Sequence, residues 1–173
     1  MSKTELKKYI KDLEPDVLRQ MLLDVYSISK EAKVFLDYAI NPDDNKMLEM
    51  CKDVIDKEFR PTMCYRRLTF SKSKKAISNF KKLDPHPKML AEAMIYMLES
   101  AVDTAAIWGN VEESFAITAA NNYMATLRHI DKYGLLADYK SVMSRLARRV
   151  DMFGYGVGFQ VYDLYDELYD EDP

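Results

Sequence analysis

Apolar residues recur at intervals of three and four along almost the whole chain, the spacing that lines one face of an α-helix. Leu6, Tyr9, Ile10 and Leu13 mark a short first helix. Leu18, Met21, Leu22, Val25 and Tyr26 mark a second, opening at Pro15, whose fixed φ suits a first helical turn. Ser27 or Ser29 interrupts the pattern before Ala32, Val34, Phe35 and Tyr38 resume it. Asn41-Pro42-Asp43-Asp44 combines a capping amide, a proline at the first helical position and early carboxylates. Asn41 is therefore expected to cap a helix running from Pro42 to about residue 59.

Pro61 opens an irregular connection over 62–70, where only Arg67-Leu68-Thr69-Phe70 reads like a strand, without an evident partner. A helix over about 73–83 would bury Ala76, Ile77, Phe80 and Leu83. Asp84-Pro85-His86-Pro87 then breaks the chain, because proline disfavours helix in the residue before it. Three long helices are predicted near 87–107, 111–133 and 135–153, separated by Gly109-Asn110 and by Gly134. Gly154-Tyr155-Gly156-Val157-Gly158 leads into a last helix ending near 169. Short links between long helices imply antiparallel neighbours. The expected fold is all-α, with about eight helices in hairpins packed as a bundle or short helical stack. No repeat of solenoid length is evident.

Composition narrows this picture little. A chain of 173 residues, 48% apolar, is expected to form a single domain spanning 1–173 with a sizeable core. No apolar run approaches the roughly 20 residues of a membrane span. The opening residues alternate charged and apolar types, unlike a signal peptide, so a cytoplasmic location and no membrane partner are expected. Cys51 and Cys64 form no C-x-x-C pair and read as reduced thiols.

Charge changes the picture more. Arg60, Arg66, Arg67, Lys72, Lys74, Lys75, Lys81 and Lys82 fall in one stretch without a carboxylate, although the whole chain has a net charge of −3. Without these eight the remainder carries −11. Beyond Met152 lie six carboxylates, Asp163, Asp166, Glu167, Asp170, Glu171 and Asp172, and no lysine or arginine. Lys72, Lys74 and Lys75 stand at a helix start, where the dipole disfavours cations, which suggests a nearby compensating anion. Arg66, Arg67, Ser71, Lys72, Ser73, Lys74 and Lys75 are thus candidate anion-binding residues, with Tyr65 as a stacking face. The plainer alternative is a solvated basic face, or one docked on the acidic last helix. Arg145, Arg148 and Arg149, at helical spacing, could instead face those C-terminal carboxylates.

Several chemistries lack their residues. Two histidines, His86 and His129, leave no E-x-x-H or H-x-x-x-H pattern, and no P-loop or G-x-S-x-G occurs. The Gly154, Gly156 and Gly158 spacing departs from a dinucleotide fingerprint and follows a helix, so it reads as a tight turn or close helix crossing. His86 reads as an exposed turn residue, His129 as a helix-surface or interface residue, and Trp108 as a core anchor at a helix end. Glu92, Glu99 and Asp103 share one helix face, a candidate carboxylate site; Cys64 near Arg66 and Arg67 is a candidate thiol. Neither has an identified catalytic partner, and no cofactor or metal is expected.

The opening Ser2-Lys3-Thr4-Glu5-Leu6-Lys7-Lys8-Tyr9, the stretch from Lys74 to Lys82 and the closing Gly156-Val157-Gly158-Phe159 turn with Tyr162-Asp163-Leu164-Tyr165 resemble a bacterial family, domain of unknown function 6155. The resemblance implies an all-helical fold and transfers no functional residue. The leading expectation is a non-enzymatic helical protein that binds a protein partner. The alternatives are anion or nucleic-acid binding through residues 65–82, and an enzyme using an unrecognised carboxylate or thiol.

Overall fold

The computed structural model describes residues 2–60 and 67–169. Among these it has nine α-helices and no strand. Arg67-Leu68-Thr69-Phe70 is non-helical backbone without strand pairing, and the connection expected at 61–66, with Cys64, Tyr65 and Arg66, lies outside the described residues. Where length suggests one domain, contacts gather the chain into two compact units, Met1–Asp43 and Asp44–Pro173.

The first unit holds α1 (Lys3–Lys11), α2 (Pro15–Ile28) and α3 (Lys30–Ile40). Ser2 caps α1 in a reciprocal box: its hydroxyl accepts from the Glu5 N–H, and Glu5 accepts from the Ser2 N–H. Ser29 ends α2 and starts α3, where its hydroxyl accepts from the Ala32 N–H at 3.1 Å. That choice between Ser27 and Ser29 follows from geometry: Ser27 stays inside α2 and donates to the Leu23 carbonyl. α2 packs on α3, and the Tyr26 hydroxyl donates to Asp37 at 2.9 Å. None of the residues of these three helices is buried.

The second unit contains α4 (Asp44–Phe59), α5 (Ser71–Lys82), α6 (Pro87–Trp108), α7 (Glu113–Lys132), α8 (Leu136–Asp151) and α9 (Val157–Tyr169). The start of α4 corrects the sequence expectation. Asn41 is the C-cap of α3, with φ −140°, and the helix begins at Asp44 instead of Pro42. The Asn41 N–H bonds the Asp37 carbonyl and so closes α3, while helical backbone resumes only at Asp44.

The 22-residue α6 is the axis of this unit, packing against α4, α5, α7 and α8. Its small residues Ala91, Ala93, Ala101 and Ala105 are buried, which lets those neighbours approach closely. Phe59, Phe70, Phe115 and Phe153 form a run of ring contacts with centroids 5.3, 4.9 and 5.7 Å apart. They tie the end of α4, the start of α5, the start of α7 and the segment after α8 into one core. Deeper in, the fully buried Tyr123 donates its hydroxyl to the Met143 carbonyl at 3.1 Å. Trp108, expected in the core, is half-buried at the end of α6, where Gly109 turns the chain with φ +74°.

The acidic helix α9 packs on α7 and α8 through Val161, Leu164 and Tyr169, leaving Asp163, Asp166 and Glu167 exposed. α5, the basic helix, packs on α4 and α6. The expected pairing of α8 arginines with α9 is also replaced. Arg145 bonds Glu99 at 2.5 Å and Arg149 bonds Asp103 at 2.6 Å, so two four-residue ladders match across α8 and α6. α9 turns its apolar side inward.

Candidate functional site

At the start of α5 the expected anion exists, and it belongs to the protein. Glu58, on α4, is 5% exposed. One carboxylate oxygen accepts from the Ser73 N–H and hydroxyl at 2.6 and 2.5 Å. The other accepts from the Lys72 N–H at 3.1 Å and the Thr69 hydroxyl at 2.9 Å. Burial by itself would raise the Glu58 pKa, but the bonds from Ser73, Lys72 and Thr69 outweigh it and hold the carboxyl below its usual range. Ser71 also approaches Glu58, at 3.5 Å. The first-turn amides thus already hold a carboxylate where an external phosphate was expected.

The other candidate residues separate. Lys72, Lys74 and Lys75 are exposed and make no side-chain ion pair among the described residues. Arg67 turns to α7, 2.9 Å from Glu112 and 3.4 Å from the Ser114 hydroxyl. Arg66 lies outside the described residues. Glu58 was missed, yet its signal was legible: it is a lone carboxylate on the stripe of Leu48, Cys51, Ile55 and Phe59. An acid on an apolar face needs donors nearby.

Two of the three candidate carboxylates of α6 are paired within the protein, and Glu92 makes no ion pair among the described residues. Glu99 and Asp103 are neutralised by Arg145 and Arg149, and no group of three or more His, Cys, Asp or Glu is placed to hold a metal among the described residues. Cys51 is free and buried, and burial pushes its thiol up to about 11, far from a reactive thiolate.

A hollow of about 530 Å³ opens at the N-terminal end of α6. It gathers the Asp84-Pro85-His86-Pro87 linker, Lys81 from the last turn of α5, and Arg128, His129, Lys132 and Tyr133 from the end of α7. Both histidines of the chain therefore line one concavity, although 43 positions separate them in sequence. One backbone conformation and two hydrogen bonds shape the linker. Asp84 adopts a left-handed conformation, φ +57°; the His86 N–H donates to Asp44 at 2.9 Å; and His86 Nδ1 accepts from the Lys88 N–H at 3.3 Å, capping α6. His129 Nε2 lies 2.9 Å from the Pro87 carbonyl, an acceptor only, so Nε2 carries the proton. The ring of His129 sits 4.8 Å from that of Tyr133. At the α7 end a Schellman pair, Leu135 N–H to the Ile130 carbonyl and Gly134 N–H to the Asp131 carbonyl, fixes where these side chains emerge.

At the opposite end of α6, roughly 33 Å away for a helix of this length, a smaller hollow of about 350 Å³ is bounded by Ala105, Gly109, Val111, Arg149 and Phe153. Tyr155, with φ +55°, donates its hydroxyl to the carbonyl of Val111, one of these residues, at 3.0 Å. No helix among the described residues is long and apolar enough to cross a membrane.

An all-α protein with an internally capped basic helix and shallow surface hollows is the class these features define. The chain belongs to the family of unknown function DUF6155, whose model matches residues 1–151. That match ends with α8, so the glycine turn and α9 lie beyond it. No curated protein and no solved structure matches the chain.

Proposed function

We propose that this is a non-enzymatic, cytoplasmic helical protein whose N-terminal unit binds a protein partner carrying an elongated apolar groove. The observation that supports this reading is a mismatch within α2. Val17, Leu18, Leu22, Val25 and Ile28 fall on one side of the helix at helical spacing, and all are exposed, Ile28 by 83%. Phe35 and Ile40 on α3 are exposed as well. A contiguous apolar stripe on a short helix is the means by which a helix docks into a groove, with residues at i, i+4 and i+7 as anchors. Leu18, Leu22 and Val25 have that spacing.

A photo-reactive amino acid at Leu22 of the full chain tests the proposal in the native cell. One discrete adduct with a different protein is expected, absent when the label replaces the exposed Asp16 on the polar side. The adduct should also disappear in an Ile28→Glu background. An adduct containing only peptides of this chain would replace the reading with self-association, and a diffuse ladder of adducts would reject it.

Nucleic-acid binding through residues 65–82 is the weaker alternative. Lys72, Lys74 and Lys75 remain available to it, but the Glu58 carboxylate sits among them.

A further inference from the structure

The hollow at the start of α6 gathers basic side chains that make no ion pair among the described residues, with the Lys132 ammonium 5.1 Å from the Tyr133 ring centroid. These are Lys81, Arg128 and Lys132. One carboxylate, Asp84, shares the lining. Lys81 and Lys132 sit in the last turns of α5 and α7, where cations complement the helix dipoles. Arg128 lies a turn earlier and has no such role. The first turn of the 22-residue α6 borders the same place, since Pro87 and Leu90 are in the lining, but it adds only its dipole: Pro87 has no N–H, and the Lys88, Met89 and Leu90 amides are already bonded to His86.

Donors and apolar surface alternate around the wall. His86 uses Nδ1 as an acceptor from Lys88, which leaves the proton of the neutral ring on Nε2 as a donor. Arg128 offers a planar fork matched to two oxygens of a phosphate, and the lysines add point charges. Leu90, buried, and Tyr133, 45% exposed, supply the apolar part. A volume of about 530 Å³ lies in the range of small-molecule sites.

We propose that this hollow is a binding site for a phosphorylated small molecule, with Arg128, Lys132 and Lys81 holding the phosphoryl group and Leu90 and Tyr133 covering the organic portion. It stands apart from the partner-binding reading, which concerns α2 and α3.

The test titrates the full chain with inorganic phosphate and, separately, with adenosine monophosphate, by calorimetry and by NMR of the histidine ring resonances. Saturable binding of both is expected, tighter for the nucleotide, with the His86 and His129 signals shifting. Arg128→Gln with Lys132→Gln should weaken binding about tenfold or more, and Lys72/Lys74/Lys75→Ala should leave it within a factor of about two. Arg128 and Lys132 are exposed, so the double variant should keep its fold, to be checked by circular dichroism. Absence of binding by either ligand at about 10 mM would overturn the proposal. So would unchanged binding in the double variant, or loss of binding in the triple variant, which would move the site to α5. Phosphate binding as tightly as the nucleotide would overturn the role given to Leu90 and Tyr133.

Discussion

Glu58 converts an unfavourable local sequence into a stable one. Three lysines in the first turn of α5 oppose its dipole, and one buried carboxylate from α4 satisfies the amides and hydroxyls between them. Removing it strands buried donors, which is costlier than losing one exposed bond. Glu58→Ala should destabilise by about 3 kcal/mol and Glu58→Gln by about 2 kcal/mol, measured by urea unfolding. The pH dependence has a definite sign. Because folding lowers the Glu58 pKa, its contribution is fully present above the unfolded carboxyl value of about 4.3. It is lost as pH falls further, through the folded value. Stability of the native chain should therefore drop below about pH 4.3 more steeply than that of Glu58→Gln. Parallel curves for the two proteins would remove Glu58 from this role.

At the scale of elements, the junction of α8 and α9 depends on a missing side chain. A Cβ on Gly158, in the first turn of α9, would overlap Oδ1 of Asp151 at the end of α8. A side chain at Gly158 must therefore displace the end of the exposed Asp151 side chain, while Gly154 and Gly156 take positive φ values of +77° and +71° in the turn before it. Gly158→Ala should destabilise the native chain, because Asp151 must move. The same substitution in an Asp151→Ala background should stabilise by up to about 1 kcal/mol, the ordinary helix preference of alanine over glycine. Thermal unfolding of the four proteins closes the cycle; an equal effect in both backgrounds would show that Asp151 is not the obstacle. Much at this scale could be read from the sequence. The breaks at Pro85, Gly109 and Gly134 fall where they were expected, since each acts through its own backbone. The start of α4 could not. Asn41 is equally suited to ending one helix and opening the next; here it ends α3, and α4 starts at Asp44.

For the whole molecule, the division at Asp43 carries a consequence for stability. All buried hydrophobic side chains among the described residues belong to the second unit, from Leu48 to Tyr169. A chain of residues 44–173 should therefore fold alone, with a Tm within about 4 °C of the full protein, by calorimetry or circular dichroism. Residues 1–43 alone should be only partly helical, because short helices without tertiary burial are marginal in water. A much lower Tm for the shortened chain would mean that its core depends on the first helices.

The helices, their approximate ends and the all-α class were determined by the sequence itself, because periodicity, caps and proline act over a few residues. Charge segregation was equally visible, but its partners were not. The acidic last helix and the basic α5 look complementary on paper, yet α9 is held to α7 and α8 by Val161 and Leu164, and apolar burial outweighs attraction between solvated charges. Arg145 and Arg149 found Glu99 and Asp103, 46 positions away in the chain, because α6 and α8 pack side by side. Likewise Lys81, His86 and Arg128 meet at one hollow only once three helix ends converge. Local interactions select elements, whereas the packing of apolar faces selects neighbours, and only neighbours make a site.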